Sequence, residues 1–310
     1  MGRLIYEAMD RSRGSDLGDG SDDEVFVRDV LRISDLKEIG KGQSGSTVYL
    51  GNRDGSCVSV KRFLKEHVKV DNQIIDLLFN KPHPNVVCPR SDGIQYDSQF
   101  GYIVQDLCHF SLADLVDALS LSSNFKISVG DAQSVIDYQM KQIALRDRMQ
   151  QRGIEFWAPN TDCYPSNTML KLMRDIAIGL HYLHTHGIVH GDLRAETVLI
   201  VDDDDGVLSA KISDVGITTV LQVSSRATAP ELCDAGRPPT LQSDIFCLGC
   251  ILYFCLSGGR HPYGDFIVRK SRIKKNKQKK DDPTLASLMK KNVEACELFN
   301  NLLSSSPHSR

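Results

Sequence analysis

The chain has one tryptophan, Trp157, among its 310 residues, and no apolar run near the roughly 18 residues that a membrane span needs. The N-terminus lacks the apolar core of a secretory signal. Gly2 follows Met1, but Tyr6 stands where a myristoylation pattern wants Ser or Thr. Excess positive charge is also missing. The net charge of −3 argues against bulk electrostatic binding to nucleic acid, so no DNA partner is expected. The nine cysteines are an odd number scattered through apolar stretches. Cys247 and Cys250 form a C-x-x-C inside an apolar, helix-like run, and no second pair lies at zinc-ligand spacing. A core role outweighs a redox or metal role there. The pattern fits a reducing compartment, and a soluble, cytoplasmic protein is expected.

What is present divides the chain in order. Residues 1–28 are rich in Gly, Ser and Asp and read as a disordered acidic tail. From Leu31 to Val60 apolar and polar residues alternate around Gly40-Lys41-Gly42-Gln43-Ser44-Gly45-Ser46-Thr47-Val48, a G-x-G-x-x-G-x-V. Glycines let a backbone close over phosphates without Cβ clashes, and the loop amides can face phosphate oxygens. Alone this is weak evidence. A dinucleotide-binding fold would want a helix next, whereas Val58-Ser59-Val60-Lys61 predicts a strand. The spacing from His67 to Phe79 predicts a helix with Val70, Ile74, Leu77 and Leu78 on one face. Tyr102 to Cys108 reads as a further strand.

Residues 120–166 form a polar insert. Its helical stretch, Val129 to Gln151, has a weak apolar face of Val135, Tyr138 or Gln139, Gln142 and Ile143. Asn167 to His186 is a strong amphipathic helix with Met169, Leu172, Met173, Ile176, Leu180 and Leu183 inward. Arg269 to Lys280 is strongly basic and reads more readily as a solvated loop than as a nuclear-import or RNA-contacting segment.

The richest stretch runs from Gly187 to Gly216. It contains His190-Gly191-Asp192-Leu193-Arg194-Ala195-Glu196-Thr197, then two apolar runs around a turn at Asp202 to Gly206, then Ser213-Asp214-Val215-Gly216. A hairpin would bring the two flanking aspartates to one end. One can take a proton from a hydroxyl and the other can hold a metal on a phosphate. Further on come Ala229-Pro230-Glu231, Asp244 with Gly249, and Arg310. Taken together, these residues resemble a eukaryotic protein kinase, with its glycine loop, strand lysine, H-R-D-L-x-x-x-N, D-F-G and A-P-E.

The resemblance implies an α+β, bilobal protein-kinase-like fold. A small β-rich N-lobe and hinge would occupy 29–108, and a mostly helical C-lobe 109–310, ending before its last helix. It implies ATP and Mg²⁺ as cofactors. Gly40, Gly42, Gly45 and Val48 would cover the phosphates and Lys61 would orient them. The backbone of Asp106 to Cys108 would bond adenine. Asp192 would accept the hydroxyl proton, and Arg194 would stand in for the loop lysine. Asp214 would bind magnesium, with one further contact from the Thr197 hydroxyl. Asp244 would brace the catalytic loop, and Arg310 would pair with Glu231. Several parts depart from the pattern. The loop arginine is Gly191, the metal-binding asparagine is Thr197, and the D-F-G phenylalanine is Val215. At the position of the helix glutamate that pairs with the strand lysine stands Ile74, and Asp71 and Asp76 read as solvated neighbours rather than substitutes. Only twelve residues separate Gly216 from Ala229; Ser224, Ser225 and Thr228 among them are weak phosphorylation candidates.

Segments such as Val60-Lys61-Arg62-Phe63-Leu64, His83-Pro84-Asn85-Val86, Leu170-Lys171-Leu172-Met173-Arg174-Asp175-Ile176 and Gly258-Gly259-Arg260-His261-Pro262-Tyr263-Gly264-Asp265 narrow the resemblance. They are similar to the kinase domain of the inositol-requiring enzyme family, kinase/endoribonucleases of the unfolded-protein response, with the plant branch nearest. The sensor, membrane span and ribonuclease domain of that family have no counterpart here, so RNA cleavage is not expected. Two functions follow. One is a weakened serine/threonine kinase acting on protein hydroxyls, its own among them. The other is a pseudokinase that binds nucleotide or partners. Because related kinases dimerise, a homodimer or another kinase-domain partner is implied.

Overall fold

The computed structural model describes residues 25–27, 31–33, 37–42, 45–53, 55–90, 94–120, 133–157, 165–203, 205–219, 229–233, 236–278, 290 and 292–310. The chain clusters into two units. The first comprises Met1–Cys108 with Asp214–Gln222, and the second His109–Ser213 with Val223–Arg310. The sequence reading set the boundary between the lobes after 108, whereas Asp214–Gln222 group with the N-terminal unit.

The first unit is built on an antiparallel sheet. Its strands are β1 (Val25–Val27), β2 (Leu31–Ile33), β3 (Glu38–Lys41), β4 (Thr47–Arg53), β5 (Ser56–Leu64), β7 (Gln95–Tyr96) and β8 (Phe100–Asp106), ordered β1-β2-β4-β5-β8-β7 with β3 on β4. Successive side chains of a strand face opposite ways. Val58 and Val60 therefore join Tyr49, Tyr102 and Val104 in one core cluster, while Lys61 and Phe63 face the other side with Ile103. Register places Val48 opposite Lys61, and Lys61 opposite Ile103. β1 lies inside the stretch read as a disordered tail; residues 1–24 of that tail lie outside the described residues.

The expected helix from His67 is shorter. Val68–Val70 is instead a strand, β6, paired with β12 (Ile217–Thr219), and helix α1 spans Asn72–Asn80. Asp71 decides the boundary. Its carboxylate caps the helix, accepting from the amides of Gln73 and Ile74 at 3.0 and 3.3 Å. It is an exposed residue that caps the helix and does not substitute for the glutamate. Ile75 and Leu78 are the fully buried residues of α1.

In the second unit, β9 (Phe110–Ser111), β10 (Val198–Asp202) and β11 (Leu208–Ile212) form a small sheet in the order β11-β10-β9. The helices are α2 (Leu112–Ser120), α3 (Gln133–Gln151), α4 (Asn167–Thr185), α5 (Leu241–Leu256), α6 (Phe266–Lys274) and α7 (Val293–Leu302). Helix α4 begins at Ser166, whose hydroxyl accepts from the Met169 amide, and buries Met169, Leu172, Ile176, Leu180 and Leu183. Two expectations are corrected. The insert helix α3 buries Gln142, Leu145 and Met149, while Val135 and Tyr138 are exposed. Arg269 to Lys274 is helical rather than loop, because Ile273 is fully buried and anchors α6. No helix among the described residues is long and apolar enough to cross a membrane.

Candidate active site

In the first unit the glycine loop joins β3 to β4. Gly45 has φ +75°, a conformation that L side chains rarely adopt. A Cβ on Gly42 would collide with Ser46 Oγ and lie 3.5 Å from Lys61 Cε, so the loop closes over the lysine stem. Gly40 has open space around it and no such constraint. Gln43 and Ser44 lie outside the described residues.

Lys61 is 6% exposed, and its Nζ lies 2.6 Å from Asp214 Oδ1. A buried ammonium needs a counter-ion. With Ile74 in place of a glutamate, Asp214 supplies it. Asp214 sits at φ +63°, a strained setting for a non-glycine residue. On its C-terminal side Val215 is buried, and Gly216, at φ +75°, lies so close to Ile74 that a Cβ would meet Ile74 Cγ2 at 2.9 Å. The Asp71 amide donates to the Gly216 carbonyl at 2.8 Å, and the β6–β12 ladder continues that pairing. Ile75, Leu78, Ile103 and Gln105 line a small cavity beside Asp214 and Val215.

At the end of β8 the Asp106 carboxylate accepts from Arg90 Nε and from the Cys88 amide. The Asp106 amide donates to the Cys88 carbonyl at 3.2 Å. The Asp106 carbonyl accepts the Ser59 hydroxyl at 2.9 Å. Cys108 closes the unit as a half-buried thiol outside any disulfide. Ser59 went unnoticed in the sequence. Its signal was the serine where the kinase V-A-I-K has alanine.

In the second unit the loop before β10 hangs on Asp244, which is 1% exposed. Its carboxylate accepts from the amides of His190 and Gly191 at 2.8 and 2.9 Å and lies 3.1 Å from His184 Nε2. The Asp192 amide donates to His190 Nδ1, and His190 Nε2 stands 2.8 Å from the Ser213 carbonyl. This pair of partners calls for the neutral Nε2–H tautomer. Asp192 presents a carboxylate that is 44% exposed, with Arg194 Nε at 3.5 Å. Arg194 also reaches Glu196 at 3.3 Å, so its charge is divided between two carboxylates.

Thr197 is 2% exposed. Its hydroxyl accepts from the Arg194 amide at 3.1 Å and faces the carbonyls of Asp192 and Arg194 at 3.2 and 3.0 Å as a donor. That hydroxyl closes the loop upon itself, which is at odds with the expectation of a metal contact. Asp214, by contrast, offers a partly exposed carboxylate of the right chemistry for a hard cation. Among the described residues no group of three or more His, Cys, Asp or Glu side chains could hold a metal. Burial pushes the Cys250 thiol up to about 12 and raises that of Cys247, although both residues keep some contact with solvent.

The side chain of Arg310 is fully buried. Arg310 donates to Glu231 Oε2 at 2.6 Å and to the Gln242 carbonyl at 2.9 Å, and it stacks 5.3 Å from the Phe246 ring centroid. Ser224, Ser225 and Thr228 lie outside the described residues.

Comparisons with known proteins bear on the family and the fold. The family model for the protein kinase domain matches residues 33–310. The serine/threonine-protein kinase/endoribonuclease IRE1b of Arabidopsis thaliana is 36% identical over 88% of this chain and 31% of its own length. The corresponding IRE1 of Oryza sativa subsp. japonica is 35% identical, over 77% of this chain and 25% of its own length. An inactive IRE1-like protein of Arabidopsis thaliana is 30% identical over 88% of this chain and 49% of its own length. The chain thus spans about a third or less of the two kinase/endoribonucleases. A crystal structure of Rad53 in complex with AMP-PNP shares the fold, with a TM-score of 0.60 and 21% identity, over 88% of this chain and 60% of that one. The family match spans nearly all of a chain that pairs a strand lysine with the aspartate after the hairpin, hangs a histidine–aspartate loop on a buried helix aspartate and clamps a glutamate with Arg310, and the chain belongs to the protein kinase family.

Proposed function

We propose that the chain is an ATP-binding serine/threonine kinase domain with weakened transfer of the γ-phosphate to protein hydroxyls, related to unfolded-protein-response signalling. The Lys61–Asp214 pair at 2.6 Å carries this reading, because it keeps a phosphate-binding cation and a metal-binding anion together although the helix glutamate is absent. In this reading the loop at Gly40, Gly42, Gly45 and Val48 covers the phosphates and Lys61 orients them. The main chain of Asp106 and Cys108 bonds the base. Asp214 holds magnesium, which when bound offsets phosphate charge. Asp192 accepts the proton of the attacking hydroxyl. Arg194 leaves its carboxylate partners to face the transferring phosphate, though its planar fork is not equivalent to a lysine ammonium. Thr197 serves here as a loop brace, which leaves Asp214 as the principal protein ligand.

Each 1.4 kcal/mol of lost transition-state stabilisation lowers the rate about tenfold. Three altered parts (the missing glutamate, the inward Thr197 hydroxyl and the divided charge of Arg194) therefore predict slow transfer. Protein substrates include the chain itself, and a second copy or another kinase domain is the expected partner. The thiols of the described residues, all outside disulfides, support a cytoplasmic location. A pseudokinase is the second reading. The inward-turned Thr197 hydroxyl favours it, since it subtracts a metal ligand.

The deciding measurement is γ-phosphate transfer from Mg-ATP to the protein and to a generic serine/threonine substrate, beside Asp192→Asn. Slow transfer that disappears in the variant is expected. Equal signals from both proteins, or none from a folded wild type, would remove the kinase activity and leave the pseudokinase.

A further inference from the structure

The nucleotide reading uses the Asp106 carbonyl as the acceptor for a purine amine. That carbonyl is already engaged. Ser59, 3% exposed, donates its hydroxyl to it at 2.9 Å. The serine has little access to water, because it is itself buried and lies opposite the buried Gln105 in the β5–β8 ladder. A buried hydroxyl without a partner is unfavourable, so the bond persists unless a ligand replaces it.

We propose that Ser59 sets nucleobase selectivity, competing with an adenine amine for the Asp106 carbonyl and offering a donor to a guanine oxo group. The proposal rests on the nucleotide-binding reading. Adenine brings an amine to position six, which must share the carbonyl with the serine proton and crowds against the hydroxyl. Guanine brings an oxygen there. A main-chain carbonyl repels that oxygen, but a serine hydroxyl that swings away from Asp106 can donate to it. An alanine at this place, as in the V-A-I-K pattern, does neither. The hydroxyl therefore penalises one base and rewards the other, and discrimination narrows.

The test is the dissociation constants of Mg-ATP and Mg-GTP for the whole chain, wild type beside Ser59→Ala and Ser59→Cys. The wild type should bind the two within about tenfold of one another. One net hydrogen bond corresponds to a factor of roughly three to ten. Ser59→Ala should then bind ATP about three- to tenfold tighter and GTP weaker by a similar factor. Ser59→Cys, of similar size with a weak donor, should fall between. Melting without nucleotide reports whether each variant is folded. A wild type that prefers ATP by a hundredfold or more overturns the proposal, as does an ATP-to-GTP ratio unchanged in folded variants. If no folded protein binds either nucleotide, the nucleotide-binding reading falls and takes this one with it.

Discussion

Gly191 stands where the kinase loop pattern has arginine, and the structure gives it φ +77°. A Cβ there would touch the Pro239 side chain at 3.0 and 3.4 Å. Gly191→Ala should therefore destabilise the protein by about 1–2 kcal/mol, the usual penalty for a left-handed L-residue plus a tight contact, read as a lower urea midpoint. Nucleotide affinity should not change, because the residue touches no proposed binding group. Asp214 occupies the same backbone region without being glycine, at φ +63°. There the strain is held by the Lys61 ion pair and by the main-chain bond from Asp71 to Gly216. The candidate residues were legible in the sequence because motif spacing names them. Their partners were not. Nothing in the spacing says that Thr197 turns its hydroxyl inward, or that a serine two positions before Lys61 reaches across to β8.

At the scale of elements, the insert that carried no motif gains a role. Asp202 ends β10 with a fully buried side chain, and Arg148 and Arg152 of α3 both donate to it. The sequence showed an acidic turn at this place. The structure shows a carboxylate that ties the hairpin carrying Ser213 to the insert helix. Asp202→Asn would take the buried carboxylate away from two half-buried guanidiniums. Breaking such a network by removing one partner typically destabilises by about 3–5 kcal/mol. A loss toward the lower end is expected in urea denaturation, since both arginines keep some contact with solvent. Joint replacement of Asp202, Arg148 and Arg152 by apolar residues should recover most of it. Element boundaries were the weaker part of the sequence reading. Val68–Val70 fits a helix by period, yet it pairs with Ile217–Thr219, because a β-branched strand partner far along the chain outweighs a local preference.

For the molecule as a whole, His261 ties stability to pH. Its ring is largely buried, Nδ1 accepts the Tyr263 amide at 3.2 Å, and Arg269 is near. Burial first, and then the Arg269 charge, lower its pKa from 6.5 to about 3. Between these values the unfolded chain binds a proton that the folded chain refuses. The contribution is therefore complete above pH 6.5 and is lost as pH falls toward 3. Melting should drop between pH 7 and pH 5, and His261→Gln should flatten that drop. The difference in slope is bounded by about 1.4 kcal/mol per pH unit, and the ring's partial exposure reduces it. Equal slopes would show that the proton is taken up elsewhere.

The sequence alone pointed to the kinase family and named the candidate side chains of the site. Those depend on residue type and spacing, which a linear chain displays. It also showed which parts were altered: Gly191, Ile74, Thr197 and Val215. Only the tertiary structure decided what each alteration did. The buried Lys61 needs an anion, and whether Asp71, Asp76 or Asp214 supplies it depends on where β6 ends and α1 begins. A threonine hydroxyl can bind a cation or a carbonyl, and the folded loop chooses the carbonyls. Partners so distant in sequence are set by packing and by the demand that buried polar groups be paired, and neither is written in the spacing of residues along the chain.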